Sequence, residues 1–260
     1  MILFFIGCAS LPKHYLDLHE HTSLNFDAVL SRIAMKRVIF IGEIHGTSNI
    51  HLLQLEVIKK LHQSGKEIVI AIEAFPFTRQ EILNKWIVGS LNEYDFERAY
   101  KATWSIPYRY YEGIFAYARE QHIPLLAINA EDTMIRQVSK QGLQAVPKDL
   151  LQRVKFTDCS TDAQYKEIVN RTYHASDFPF FCDAQRLRDA IMAFTIADAV
   201  RGNNGTVVVL AGVAHSFKLA VPHMLENYGE ITYSVLLPEA VAYFIGKTPD
   251  KNIADYIWYE

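Results

Sequence analysis

The chain has 260 residues, half of them hydrophobic, so it can bury one substantial core; a disordered chain and a small disulfide scaffold are excluded. Lysine and arginine total 26 against 29 aspartates and glutamates, which gives a net charge of -3. Since no dense basic run accompanies this balance, nucleic acid is not expected as a partner.

The N-terminal segment is apolar over residues 2–11 and contains Cys8 followed by two small residues. It is too short for a transmembrane helix. It resembles a bacterial lipoprotein signal, whose processed cysteine carries lipid, although Phe5 and the missing positively charged start depart from that pattern. A start codon placed too far downstream explains both departures, and an apolar N-terminal strand is the alternative. We expect residues 1–23 to be signal and tether, with His14, His19 and His21 in the tether.

Four short apolar runs rich in β-branched residues follow, at residues 37–41, 68–72, 124–128 and 206–210. Because they do not alternate between apolar and polar positions, they are typical of strands buried on both faces of a parallel sheet. Helical patterns separate them. The predicted helices are residues 49–62 with Gly65 as cap, residues 78–88 opened by a capping box of Thr78 and Glu81, a short helix after Pro147, and residues 182–200.

The connections between the later strands are long, with 51 residues at 73–123 and 77 residues at 129–205. Structureless loops of that length are rare in compact domains, so both are predicted to be helical insertions. Residues 231–236, 240–245 and 255–259 predict edge strands. The sequence therefore predicts a single domain at 24–260, a three-layer α/β/α sandwich with a mostly parallel sheet and helical insertions.

Polar groups follow all four buried strands. Glu43 and His45 come after the first strand, Glu73 after the second, Asn129 after the third and His215 after the fourth. In open parallel sheets ligands bind beyond the carboxyl ends of the strands, so these side chains are expected to converge on one crevice. His51 lies one turn into the helix that follows the first strand.

Two carboxylates and two imidazoles can do two kinds of chemistry. Glu43, His45, Glu73 and His215 could ligate a divalent metal that activates water for hydrolysis. Without a metal, the same four could act as general base and acid on a bound ester. The spacing does not discriminate between these alternatives. The loop around Glu43 has neither a dinucleotide-binding nor a Walker glycine pattern.

The insertion after Glu73 is dense in aromatic residues, with nine between Tyr94 and Tyr117. Helices packing on the sheet account for some of them. A surplus of tyrosines close to the crevice also suits a large flat ligand with a Tyr or His axial ligand. The two cysteines beyond Cys8, Cys159 and Cys182, lack metal-ligand spacing, and the sequence leaves open whether they pair.

Taken together, the motifs resemble the ChaN family of haem-binding lipoproteins, which shares a wider group with Tiki metalloproteases, TraB proteins and erythromycin esterases. The resemblance extends over residues 24–226. It rests on Gly42-Glu43-x-His45 with His51, Glu73 with Phe75, Trp104, Asn129 after its strand, Gln185-x-x-Arg188-Asp189-x-x-Met192-Ala193, Ala211-Gly212-x-x-His215, and Val221-Pro222.

The resemblance implies haem as cofactor, a role in iron or haem acquisition, a homodimer around haem, and a lipid anchor in the bacterial cell envelope at the outer membrane. It also implies that Tyr165 or His174, in the insertion before the Gln185 helix, is the axial iron ligand. His51, Asn129, Gln185, Arg188 and Asp189 are expected behind the site, with Gln185 and Asp189 orienting Glu43 or His45. The alternatives are a hydrolase using the four Glu and His side chains, and a scaffold protein that retains the fold.

Overall fold

The computed structural model describes residues 11–172 and 178–259 and places eight strands in one sheet. The spatial order is β2-β1-β8-β7-β3-β6-β4-β5. The strands are β1 (His14–Asp17), β2 (Thr22–Leu24), β3 (Val38–Glu43), β4 (Ile68–Pro76), β5 (Leu125–Asn129), β6 (Thr206–Gly212), β7 (Tyr233–Pro238) and β8 (Tyr256–Tyr259). Strands β3 to β8 pair in parallel, and β1 and β2 add antiparallel at one edge.

Twelve α-helices connect the strands of the described chain. They are α1 (Phe26–Ile33), α2 (Ser48–Gln63), α3 (Gln80–Ile87), α4 (Glu93–Lys101), α5 (Glu112–Glu120), α6 (Asp132–Gln141), α7 (Lys148–Arg153), α8 (Ala163–Thr172), α9 (Phe181–Gly202), α10 (Val213–Ser216), α11 (Val221–Leu225) and α12 (Val241–Ile245). The two long connections are helical, as predicted. Across the described residues, no helix is both long enough and apolar enough to cross a membrane.

Two hydrophobic cores lie on opposite faces of the sheet. Successive strand residues point to opposite faces, so in β3 Val38 and Phe40 join one core while Ile39 and Ile41 join the other. The first core is closed by helices that include α6, α9 and α11, and the second by α1 to α5. This confirms the mostly parallel α/β fold with helices on both faces.

Three expectations about the edges of the sheet are wrong. Residues 231–236 and 255–259, predicted as edge strands, correspond to β7 and β8, which lie inside the sheet because β1 and β2 add beyond β8. Residues 240–245, predicted as a strand, contain the short helix α12, and Gly246 follows it in the left-handed conformation that ends a helix.

The segment with His14, His19 and His21, expected as a polar tether, forms β1, β2 and the turn between them. These errors concern segments whose structure depends on contacts distant in sequence. Cys8 and residues 1–7 lie outside the described residues.

Helix ends follow the sequence in one case and depart from it in another. Gly65, two residues after the end of α2, has a φ of 82°, and its backbone N–H donates to the His62 carbonyl, so it ends the helix as predicted. The predicted helix after Thr78 forms as α3. However, the Thr78 hydroxyl donates to Glu131 instead of capping the helix, and Glu81 pairs with Lys85 one turn later.

A disulfide joins Cys159 to Cys182, a pairing that the sequence left open. Its two Cα atoms are 5.9 Å apart, and the bond closes a loop with a sequence separation of 23 residues. That loop contains α8, and the bond attaches the loop to the first turn of α9.

We expect the double change Cys159→Ser, Cys182→Ser to lower the free energy of unfolding by about 3 kcal/mol, because an open loop of this length has more conformational entropy in the unfolded chain. Urea denaturation followed by circular dichroism measures the difference. Wild-type protein in excess reductant should lose the same amount, and the double variant should not respond to reductant. Identical midpoints for oxidised wild type and variant would contradict the expectation.

Candidate ligand-binding site at the carboxyl edge of the sheet

The four Glu and His side chains singled out in the sequence line one cavity of about 470 Å³ beyond the carboxyl ends of β3, β4 and β6. We call it the strand-end cavity; its lining includes Glu43, His45, Glu73, Trp104, Arg188 and His215. Glu43 is the last residue of β3, Glu73 lies where the pairing of β4 with β5 shifts register, and His215 is in α10, directly after β6. The predicted convergence is therefore confirmed.

Glu43 is buried and accepts hydrogen bonds from three directions. His45 Nδ1 lies 2.8 Å from Glu43 Oε1, and the Tyr111 hydroxyl donates to the same oxygen. Gln54 Nε2 of α2 donates to Glu43 Oε2 at 2.7 Å. A buried carboxylate is stable only when it is compensated in this way.

Electrostatics favour a charged Glu43–His45 pair. Burial alone raises the pKa of Glu43, but the hydrogen bond and charge of His45 and the Tyr111 hydroxyl together hold that pKa below its usual range. Burial likewise disfavours protonated His45, yet Glu43 and Glu73 raise its pKa to about 9. The imidazole is about one-third exposed, and its edge meets the Trp104 ring with centroids 5.1 Å apart.

His51 lies behind Glu43, as the sequence predicts. Its Nδ1 is 3.0 Å from Gln54 Oε1 and 3.7 Å from Glu43 Oε2. Because Gln54 donates through its nitrogen to Glu43 and to the Ile41 carbonyl, its oxygen accepts from His51. Burial lowers the pKa of His51, which favours a neutral ring packed against Tyr111. His51 thus fixes Gln54, and Gln54 fixes Glu43.

The second half of the site centres on His215. Its Nδ1 lies 2.5 Å from Asp189 Oδ1, and its Nε2 lies 3.4 Å from Glu73 Oε1. Burial disfavours the protonated ring, but these two carboxylates together raise the pKa of His215. The sequence expected Asp189 to orient Glu43 or His45. Asp189, on α9, orients His215 of α10 instead.

Glycine at position 212 lets the two halves meet. The Gly212 amide donates to Glu73 Oε2 at 2.7 Å. A Cβ on Gly212 would lie 3.1 Å from His45 Nε2 and 3.5 Å from Glu73 Oε2. The missing side chain therefore allows His45 and Glu73 to approach each other over the end of β6.

Asn129 and Arg188 support the backbone at the edge of the cavity. The Asn129 amide donates to the Glu73 carbonyl at 2.9 Å, and its side-chain oxygen accepts from Arg188 at 3.1 Å. Arg188 also pairs with Asp132 at 3.0 Å. Gln185 lines the strand-end cavity without contacting Glu43 or His45, contrary to the expected orienting role.

The structure does not confirm the predicted haem and metal ligands. Tyr165 is buried, and its hydroxyl donates to Asp189 Oδ2 at 2.6 Å instead of lining the strand-end cavity. His174 lies outside the described residues. Over residues 11–172 and 178–259, no three His, Cys, Asp or Glu side chains are arranged to hold a metal ion. The ligand role of Tyr165 or His174, and a metal on Glu43, His45, Glu73 and His215, stay predictions.

Sequence reasoning missed Gln54, Tyr111, Thr172 and Phe244. Gln54 follows His51 by three residues on one helix face, a spacing that could have identified it. Tyr111 belongs to the aromatic surplus, but nothing in the sequence singles it out from its eight companions. Phe244 lines the strand-end cavity from α12, the segment mistaken for a strand.

We expect Glu43→Gln to lower the pKa of His45 from about 9 toward the ordinary value of 6.5, since the carboxylate stabilises the imidazolium. Nuclear magnetic resonance titration of the ring C–H signals measures this. Because the folded-state pKa is raised, the stability that this pair contributes is complete below about pH 6.5 and is lost as pH rises through about 9.

The exposed His14, on β1, is an internal reference whose signal should not move on the Glu43→Gln change. A wild-type His45 signal that titrates near 6.5 would contradict the charged pair. Denaturation at pH 6.5 and at pH 9.5 adds a second readout. Between these two pH values, the free energy of unfolding should fall less in the variant than in the wild type.

Comparison with known proteins places these features in a family. The model of the family described as "Haem-binding uptake, Tiki superfamily, ChaN" matches residues 29–225. The chain is 22% identical over 259 residues to the chloroplastic protein RETICULATA-RELATED 5 of Arabidopsis thaliana, which covers 89% of this chain. The present chain spans only about a third (35%) of the length of that relative.

Solved structures share the fold. ChaN of Campylobacter jejuni, described in a structure of cofacial haem binding, is 17% identical, with 94% of this chain and 95% of that chain covered and a TM-score of 0.71. The erythromycin esterase EreC, in a mutant with an open conformation, is 13% identical, with coverages of 86% and 76% and a TM-score of 0.53. Since the family model covers most of the chain, this protein belongs to the ChaN family of haem-binding uptake proteins in the Tiki superfamily.

Proposed function

We propose that this protein binds haem in the strand-end cavity and serves haem or iron acquisition. The observation that carries the proposal is the cavity itself, in a chain that belongs to a haem-binding uptake family. Its volume of about 470 Å³ lies within the range of small-molecule and cofactor sites, which are mostly apolar with a few placed polar groups.

The residues of the strand-end cavity fit a porphyrin. Ile44, Val213, Ala214 and Phe244 give apolar walls, and Trp104 adds a flat aromatic surface. The exposed part of the His45 ring, held in orientation by Glu43, adds a polar group to the wall of the cavity. Haem iron, when bound, accepts an imidazole or phenolate as axial ligand.

Axial ligation by Tyr165 or His174 remains part of the proposal. Thr172, the last described residue of α8, lines the cavity. Tyr165 is in a different position, because its hydroxyl must leave Asp189 before it can reach a ligand. We therefore assign axial ligation to His174 before Tyr165, and to neither His45 nor His215.

A second candidate function is hydrolysis by Glu43, His45, Glu73 and His215, with or without a divalent metal. The observation in its favour is that both imidazoles are held at Nδ1 by a carboxylate, 2.8 Å for His45 and 2.5 Å for His215. That arrangement fixes the ring tautomer and orientation needed for general acid and base work.

Titration of the purified protein with hemin should give saturable binding with a Soret shift. His174→Ala should weaken binding or alter the spectrum because it removes an axial ligand. Tyr165→Phe should have a smaller effect, since its hydroxyl is already occupied by Asp189. His215→Ala should change the spectrum least, because both ring nitrogens face carboxylates inside the protein.

His62→Ala is a matched control, since that imidazole lies on α2 away from the cavity and bonds Tyr117. Binding that survives the Tyr165 and His174 changes but is lost in His215→Ala would reverse the ligand assignment. No haem binding, together with ester turnover abolished by His215→Ala, would favour the hydrolase.

We also propose that the protein is lipid-anchored through Cys8 in the bacterial cell envelope, at the outer membrane, and forms a homodimer around haem. The Cys159–Cys182 disulfide supports an oxidising compartment outside the cytosol. The anchor explains how a binding domain is retained at the site of uptake.

Radiolabelled palmitate should be incorporated into the full-length product, expressed with its verified start codon, in a bacterial host. Cys8→Ser should abolish labelling and release the domain into the soluble periplasmic fraction, because the thiol is the acylation site. Cys159→Ser serves as the control that removes a different cysteine without loss of label. An unlabelled wild-type product would contradict the anchor.

A further inference from the structure

The α9 side of the strand-end cavity carries polar groups that the proposed haem contacts do not use. Gln185 and Arg188 line the cavity from α9, and Thr172 lines it from α8. Residues three apart on a helix share one face, so Gln185 and Arg188 project from α9 in similar directions.

Gln185 is 7% exposed and lines the cavity. The Thr172 hydroxyl and Arg188 Nε are buried without a hydrogen-bond partner in the described part of the chain. Buried polar groups are nearly always hydrogen-bonded, so these two exceptions in the lining of one cavity indicate a missing polar ligand. The Thr172 hydroxyl, the Gln185 amide and the Arg188 guanidinium can each donate a hydrogen bond to an oxygen acceptor.

Arg188 adds a positive charge at the same place. Its guanidinium donates to Asn129 at 3.1 Å and to Asp132 at 3.0 Å, which uses two of its five N–H donors. The Arg188 side chain is 13% exposed, whereas that of Asp132 is 58% exposed and strongly solvated. The outer carboxylate therefore offsets the charge only partly, and the terminal nitrogens retain donors for a ligand.

We infer that Arg188, Gln185 and Thr172 form a carboxylate-binding subsite of the strand-end cavity. The subsite holds a propionate of haem, an assignment that rests on the proposed function. Arginine binds carboxylates through charge-assisted hydrogen bonds, and the amide and hydroxyl supply neutral donors. Elsewhere in the lining, the Glu43 and Glu73 carboxylates are hydrogen-bond acceptors and offer no donor to an acidic group. The subsite thus sets which edge of the macrocycle turns toward α9.

The test compares haem with its dimethyl ester, in which both propionates are uncharged. Wild-type protein should bind haem about tenfold to a hundredfold more tightly than the ester, the range expected for a charge-assisted hydrogen bond. Arg188→Gln should weaken haem binding toward the ester level and leave ester binding nearly unchanged. Gln185→Leu should reduce the preference by a smaller factor, since it removes a neutral donor.

Asp132→Asn is the matched control, because it weakens the outer ion pair and keeps the guanidinium; the preference for haem should persist. Thermal unfolding of each variant checks the fold, and the wild-type comparison needs no substitution at all. Equal affinity of wild type for haem and ester, or an equal loss of both in Arg188→Gln, would overturn the subsite while the haem function stands. Failure of both ligands to bind would overturn the haem function and the propionate assignment together.

Discussion

The burial of the Glu43 carboxylate at the end of β3 is the constraint on which the site depends. A carboxylate in a low-dielectric interior is stable only when hydrogen bonds and opposite charge replace water. Its donors come from three segments that are distant in sequence: the β3 loop through His45, α2 through Gln54, and the aromatic insertion through Tyr111. One buried charge thereby holds these three segments in fixed relation around the cavity.

The Asp189–His215 pair repeats the same solution on the other side of Gly212. There, α9 supplies the carboxylate, α10 supplies the imidazole, and Tyr165 of α8 adds a hydrogen bond to Asp189. Since the pKa values of both His45 and His215 are raised, the protonated rings offset much of the negative charge of the carboxylates. A ligand in the strand-end cavity therefore meets a nearly balanced set of charges, not an acidic cluster.

The aromatic insertion has a structural role and a role at the site. Most of its rings pack in one of the two cores, as in the Trp86–Phe96 pair with centroids 4.1 Å apart. Only a few members, Tyr111 and Trp104 among them, reach the site. The fold itself does not decide the chemistry, because haem-binding ChaN of Campylobacter jejuni and an erythromycin esterase share it. The side chains that line the cavity therefore determine the chemistry.

The amino-acid sequence by itself determined the buried parallel strands, the helical insertions and the convergence of Glu43, His45, Glu73 and His215. These follow from local patterns, since an uninterrupted β-branched run predicts a strand buried on both faces and parallel strands end at one edge. Only the tertiary structure decided which carboxylate holds which imidazole, that Tyr165 bonds Asp189, and that residues 14–24 join the sheet. It also decided that the segment with Phe244 is a helix at the cavity. Those outcomes depend on packing between segments far apart in the chain, whose relative positions no local periodicity encodes.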